Sequence, residues 1–212
     1  MMPNHKNNSL KSLAAAALAA ALLAACGSSP PAQFYTLSAP ASASTNGAIP
    51  AQGPQTFIEV MPVAVPDRLA RPQLVVRSDA TRVDVLEQER WSSPFNSELR
   101  DALAAGVASR LGAIDISRSG RPADQVSYRI AVELRDLDAV RGGQVQASFG
   151  WTVTRSDDRR STVCRMTVVE PVAGGAVGDV VLAMQKAVSG AADAIANNVK
   201  ALQAGQGAKC AG

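Results

Sequence analysis

Three consecutive segments in the second half of the chain alternate apolar and polar side chains with a period of two. The apolar positions of the first two are Val126, Tyr128, Ile130, Val132 and Leu134, and then Val145, Ala147, Phe149, Trp151 and Val153. The glycine pair Gly142-Gly143 separates them, and Asp157-Asp158 precedes a third segment at about 162–170. Such alternation is typical of strands with one buried face, and paired glycines favour hairpin turns. The pattern predicts an antiparallel meander of three strands.

Two other segments carry an apolar stripe with the spacing of a helix. The stripes consist of Phe95, Leu99, Leu103, Val107 and Leu111, and of Val181, Met184, Val188, Ala191, Ile195, Val199 and Leu202. The first stripe predicts a helix over 94–111, with Ser93 as its N-cap, Pro94 as its first residue and Gly112 after its last turn. Asp179 predicts the cap of a second helix over about 180–203. We therefore expect an α+β two-layer sandwich, with two main helices packed on one face of an antiparallel sheet.

The residues before the first helix predict short strands and one linker. The strand candidates are 34–37 and 57–60, followed by a hairpin of 74–77 and 81–86. Residues at about 38–55 are rich in Ala, Ser, Pro and Gly, so they can bury little apolar surface. This composition predicts a flexible linker between the first strand and the rest of the domain.

The N-terminal 26 residues have the composition of an export signal. Lys6 and Lys11 precede an apolar run over 13–25, which is shorter than the roughly 20 residues that a membrane-spanning helix needs. Leu23-Ala24-Ala25-Cys26 resembles the lipobox of bacterial lipoproteins. The resemblance implies cleavage before Cys26 and acylation of this cysteine, which would tether the mature protein to a membrane. The alternative is an ordinary signal peptide with a chance cysteine near its end.

This reading divides the chain into four parts. Residues 1–25 are the signal peptide, 26–33 the lipidated cysteine and its tether, 34–204 a single domain, and 205–212 a flexible tail. Gly27 stands where an aspartate would favour retention in the inner membrane in enteric-type sorting. We therefore expect an outer-membrane lipoprotein whose domain faces the periplasm.

Net charge and histidine content exclude several classes of function. Removing the signal lowers the net charge from +3 to about +1, because the signal holds two lysines and no acid. A nearly neutral exported domain gives no indication of nucleic-acid binding. The single histidine, His5, lies in the signal, so the mature chain has no histidine for a catalytic triad, general base or metal ligand. We predict no enzyme activity, no catalytic residue, no cofactor and no metal site.

Cys164 and Cys210 are the two cysteines left besides Cys26. In an oxidising compartment they can pair, and closing the loop between them would stabilise by roughly 4 kcal/mol on a chain-entropy estimate. The alternative is a free thiol at Cys164, buried in its strand, with Cys210 in a disordered tail. The sequence leaves both open.

Four blocks of the sequence are in register with a known pattern: residues 34–37 (FYTL), 63–69 (VAVPDRL), 91–94 (WSSP) leading into 98–103 (ELRDAL), and, more loosely, the last helix around 194–196. In these blocks the chain resembles a known family, the PqiC-type ABC-transport auxiliary lipoproteins of Gram-negative bacteria. The resemblance implies a non-enzymatic subunit of an intermembrane lipid-transport system, docked at the outer membrane on an MCE-domain protein. It also implies homo-oligomeric rings. The alternative is a stand-alone envelope lipoprotein that binds a lipid or a cell-wall ligand in an apolar cavity.

Overall fold

The structure is a computed structural model that describes residues 30–38, 55–120, 125–207 and 210. The predicted signal, the anchor Cys26 and the greater part of the predicted linker lie outside the described residues. All the strands and helices described lie in the compact unit from Gln33 to Gly212.

The described residues form eight strands and two long helices. The strands are β1 (Gln33–Tyr35), β2 (Phe57–Val60), β3 (Gln73–Arg77), β4 (Val83–Trp91), β5 (Ile114–Asp115), β6 (Ser127–Ala139), β7 (Gln144–Arg155) and β8 (Ser161–Pro171). The helices are α1 (Phe95–Leu111) and α2 (Val177–Gln203), and a 3₁₀ turn spans Asp67–Leu69. Two sheets result, a large one in the order β5-β2-β6-β7-β8 and a small one in the order β1-β4-β3.

Strands β6, β7 and β8 form the antiparallel meander that the alternation predicts. Val132 lies opposite Trp151, which lies opposite Cys164 on the next strand. Four residues, 140–143, connect β6 to β7 rather than the two of the predicted turn, and Gly142 adopts a positive φ of 67°, which glycine tolerates without a steric penalty. A register shift between Leu134 and Asp136 divides β6 into two halves.

Other strands depart from the predicted all-antiparallel sheet. β2 pairs in parallel with both β5 and β6, and β1 pairs in parallel with β4. Each parallel pair is joined by a long connection, as parallel pairing requires, and side-chain periodicity carries no information on strand direction. The α+β class with two main helices is confirmed. The described strands, however, form two mixed sheets instead of one antiparallel sheet.

Both helices cover the same face of the large sheet. α2 packs across β6, β7 and β8, whereas α1 packs against α2 and against β2 and β5. The helices approach closely at Gly106, where an added Cβ would lie 2.9 Å from the Cβ of Ala192. Residues on the inner face are buried, including Ile130, Phe149 and Ile195. None of the described helices has the length and hydropathy needed to cross a membrane.

The starts of the two helices differ in detail from the predictions. Pro94, rather than Ser93, takes the N-cap position of α1, and no side chain caps that end. α2 begins at Val177, and the carboxylate of Asp179 accepts a hydrogen bond from the backbone N–H of Ala176. Gly112 ends α1 in the left-handed conformation, with a φ of 57°. The serine side chains before α1 have a different partner, described below.

The small sheet joins the large one at the second half of β6. An isolated bridge pairs Arg77 with Val140. Arg77 forms an ion pair with Asp138 at 2.7 Å, and Arg68 from the 3₁₀ turn forms one with Asp136 at 2.7 Å. The side chains of these four residues are each about one-third exposed. Charged contacts thus add to the burial of Leu74 and Val76 in attaching the small sheet to the body of the domain.

Candidate functional site

The carboxylate of Glu98 brings together three of the motif segments. Its Oε2 accepts hydrogen bonds from the Thr36 hydroxyl at 2.8 Å and the Leu37 backbone N–H at 2.9 Å. Its Oε1 accepts from the hydroxyls of Ser92 at 2.7 Å and Ser93 at 2.8 Å. Glu98 is only 6 % exposed. One buried carboxylate therefore ties residues just after β1 to the segment that opens α1.

Backbone contacts set up this arrangement. Trp91 ends β4 and lies beside Tyr35 of β1, and the Ser92 N–H donates to the Tyr35 carbonyl at 2.8 Å. Because Pro94 then starts α1, the two serine hydroxyls point toward the first helical turn, where Glu98 lies. A carboxylate in a first turn also interacts favourably with the helix dipole.

Glu98 carries its charge despite its burial. Burial raises the pKa of the carboxyl, but the hydrogen bonds from Ser92, Leu37, Thr36 and Ser93 together outweigh it, so the net shift is downward. A carboxylate that accepts several hydrogen bonds is stabilised in its ionised form. The site is therefore a structural anion with its acceptor oxygens occupied, and not a group poised to take up a proton near neutral pH.

A neighbouring open groove of about 680 Å³ adjoins these residues. Its lining combines the motif segments: Val63, Val65, Ala70, Arg71, Pro72, Trp91, Ser92, Ser93, Pro94, Phe95 and Asn96. Trp91 and Phe95 are buried below it, with ring centroids 5.2 Å apart. The groove is mainly apolar, with Arg71 as its cationic residue. It offers a contact surface rather than an enclosed ligand site.

The motif at 63–69 has a structural role in the same region. Arg68 donates to the carboxylate of Asp136 and to the carbonyl of Leu137 at 2.9 Å. The N–H of Ala64 donates to Val132, and Leu134 donates back to Ala64, so this segment adds to the edge of β6. The motif therefore fixes the small sheet and the groove against the large sheet.

The second open concavity, of about 770 Å³, lies on the face of the large sheet away from the helices. Glu133, Arg135 and Arg165 line it, and Gly150 in its centre leaves room below the side chains of Glu133 and Arg135. Cys210 borders it. The Sγ atoms of Cys164 and Cys210 lie at bonding distance, with their Cα atoms 5.4 Å apart. The structure thus brings the two candidate disulfide residues together.

One apolar cavity lies between the helices and the large sheet among the described residues. This cavity, lined by ten apolar residues, among them Leu37, Phe149 and Met184, has a volume of about 10 Å³. That is the minimum volume for a single water molecule and far below that of a lipid chain. Within the described residues, no cluster of three or more His, Cys, Asp or Glu side chains is placed to hold a metal ion.

Sequence reasoning gave Glu98 no role beyond its place in a motif. The available signal was an acid in the first turn of a helix, following Ser92-Ser93-Pro94. This is not the spacing of a capping box, which places the acid three residues after the serine, whereas Glu98 follows Ser93 by five. Both serines bind the acid directly, and the other donors, Thr36 and Leu37, follow β1 and lie 62 and 61 residues away in the chain.

Comparison with known proteins shows which family the chain matches. Residues 35–196 match the family described as "ABC-type transport auxiliary lipoprotein component". An uncharacterised protein of known crystal structure is 19% identical, with a TM-score of 0.62, over 80% of this chain and 99% of that one. A protein from Xanthomonas campestris is 17% identical, with a TM-score of 0.56, over 74% of this chain and 91% of that one. At such identities these structures show a shared fold alone. No curated protein matches the chain.

Proposed function

Because the chain belongs to the ABC-type transport auxiliary lipoprotein family, we propose that it is a non-enzymatic, membrane-anchored subunit of an intermembrane lipid transporter. The observation that carries the proposal is the convergence of the motif segments on Glu98. These contacts fix the strand nearest the anchor to the folded domain. A subunit that must hold a partner at a defined distance from a membrane needs such a connection.

The proposed anchor is an acylated Cys26 in the outer membrane, with the domain facing the periplasm. The lipobox-like sequence and Gly27 after the cysteine support it. Stable anchoring takes more than one acyl chain, which the lipoprotein pathway would supply. Confinement to a surface raises the effective concentration of the domain for a partner that reaches the same surface.

The proposed partner is an MCE-domain protein that extends from the inner membrane, as the resemblance to PqiC-type lipoproteins implies. Docking on it would support lipid transfer and the integrity of the envelope. A homo-oligomeric ring of this chain is part of the proposal. The groove of about 680 Å³ beside Trp91 supplies an apolar contact surface of suitable size for a protein segment.

We further propose that the Cys164–Cys210 disulfide forms in the oxidising periplasm. It would fasten the tail after α2 to β8, which is the outermost strand of the large sheet. An edge strand exposes unpaired backbone groups, and a covalently held tail limits unwanted pairing there.

The alternative function, a stand-alone lipoprotein that binds a lipid, receives less support. It calls for an apolar cavity of ligand size, whereas the apolar cavity between the helices and the sheet has a volume of about 10 Å³. The two larger concavities are open to solvent.

The test is cross-linking in intact cells, followed by purification of the full-length protein in mild detergent and mass spectrometry. The expected result is an MCE-domain protein in near-stoichiometric yield, with the yield strongly reduced for the unlipidated variant Cys26→Ser. Recovery of the lipoprotein alone, with a tightly held lipid or glycan, would contradict the proposal and favour the stand-alone binder.

A further inference from the structure

Phe34 differs from the three residues that follow it in the motif. Burial and the neighbouring carboxylate of Glu89 raise the pKa of Tyr35 to about 12, Thr36 donates to Glu98, and Leu37 is buried in the core. The side chain of Phe34 is 66 % exposed, the largest exposure of any aromatic ring among the described residues. The fold accounts for the other three positions and leaves the aromatic ring of Phe34 facing solvent.

The surroundings of Phe34 combine an aromatic ring with positive charge. β1 is an edge strand of the small sheet, and Phe34 lies opposite Arg90 of β4. Arg90 is half-buried, and its Nε donates to the carbonyl of Glu87. Aromatic rings and arginines are the side chains that favour a membrane–water interface, because each has an apolar body and a polar end.

The chain length to the anchor limits where this edge can lie. Six residues separate Cys26 from the start of β1 at Gln33, and the seven Cα–Cα steps span at most about 25 Å when fully extended. Pro30 and Pro31 stiffen part of that tether. Since the contacts to Glu98 hold the end of β1 to the domain, the edge that carries Phe34 is the part of the domain nearest to the anchor along the chain.

We propose that Phe34 inserts into the headgroup region of the membrane that holds the acyl anchor, with Arg90 beside it. This inference rests on the proposed lipid anchor at Cys26. The acyl chains hold the domain to the membrane, and the ring supplies a second contact point that fixes the tilt of the domain. A fixed tilt presents the groove beside Trp91 in one direction.

The test uses the acylated full-length protein in vesicles of phosphatidylethanolamine and phosphatidylglycerol, with acyl chains brominated near the headgroup. The reporter is Phe34→Trp, and bromine quenches tryptophan fluorescence at short range. The matched control is Val163→Trp, since Val163 is 73 % exposed on β8 of the large sheet. Trp91 and Trp151 are buried, and the wild-type protein measures their background.

We expect bromolipid to quench the added tryptophan at position 34 at least about twofold more strongly than the one at position 163. Equal quenching at both positions in acylated protein would overturn this inference and leave the transport proposal standing. An N-terminus that mass spectrometry finds unacylated would overturn the anchor and this inference together. A photo-cross-linking residue at position 34 that captures a protein in place of lipid would also overturn it.

Discussion

The layer between α2 and the large sheet and the region around the small sheet differ in how far polar contacts supplement apolar packing. In the first, buried apolar side chains such as Phe149, Ile195 and Ile130 fill the space, and an apolar cavity there has a volume of only about 10 Å³. In the second, Leu74 and Trp91 are buried in the same core, and Glu98, Arg68 and Arg77 add hydrogen bonds and ion pairs.

The difference has a physical consequence. Apolar packing is non-directional and supplies most of the free energy of folding, whereas each polar contact adds a modest amount but specifies one geometry. The helix-covered sheet therefore keeps the domain folded. The polar contacts set how β1 and the rest of the small sheet are placed on it.

The largest effect is expected in the apolar layer. Phe149→Ala should lower the free energy of unfolding by about 3–5 kcal/mol, because it removes a buried ring and leaves a cavity. Urea denaturation measures the loss. The matched control Val163→Ala, at an exposed position, should change it by about 0.5 kcal/mol or less. Similar losses for the two variants would show that the layer is not packed as described.

The second-largest loss of stability is expected when the disulfide is removed. Cys210→Ser should lower the free energy of unfolding by about 2–4 kcal/mol, since it frees a loop with a sequence separation of 46 residues. A reducing agent should lower the stability of the wild-type protein by the same amount and leave the variant unchanged. A wild-type unfolding midpoint that is insensitive to the reducing agent would mean that the two thiols are free.

A smaller loss with a distinctive pH dependence is expected at Glu98. Glu98→Gln should cost about 1.5–3 kcal/mol at neutral pH, because four donors lose an ionised acceptor. The folded-state pKa is lowered, so the charge stabilises the fold above the unfolded pKa, and this contribution is lost as pH falls below about 4.5. The free energy of unfolding of the variant should therefore fall less steeply than that of the wild type as pH is lowered through the acid range (the acid limb), which urea denaturation at a series of pH values measures.

The control for that variant is Glu133→Gln, since Glu133 is an exposed acid on the outer face of the large sheet. It should leave both the stability at neutral pH and the acid limb close to those of the wild type. An acid limb for Glu98→Gln as steep as that of the wild type would place the pH dependence in other carboxylates.

The smallest effect is expected for the ion pairs of the small sheet. Asp138→Asn should lower the free energy of unfolding by about 0.5–1 kcal/mol, since Arg77 and Asp138 are partly exposed and solvent screens their attraction. The loss should shrink as salt is raised, which denaturation in low and high sodium chloride measures. A loss independent of salt would indicate packing rather than charge.

The sequence predicts the two regions to different extents. The meander and both helices follow from side-chain periodicity over more than ten residues each, which local sequence carries. The parallel pairing of β1 with β4 depends on contacts between distant segments, which no local pattern encodes. The role of Glu98 is of the same kind, because its donors lie on two segments far apart in the chain.

Hydrogen exchange at the Leu37 amide tests the central claim most directly. The claim is that Glu98 holds the residues just after β1 to the domain, whereas apolar packing stabilises the large sheet and its helices. In Glu98→Gln under native conditions, the Leu37 N–H should exchange about tenfold faster or more than in the wild type, because its acceptor loses its charge. Amides in the middle of α2 should keep their wild-type exchange rates. Unchanged exchange at Leu37, or equal acceleration at Leu37 and in α2, would contradict the account.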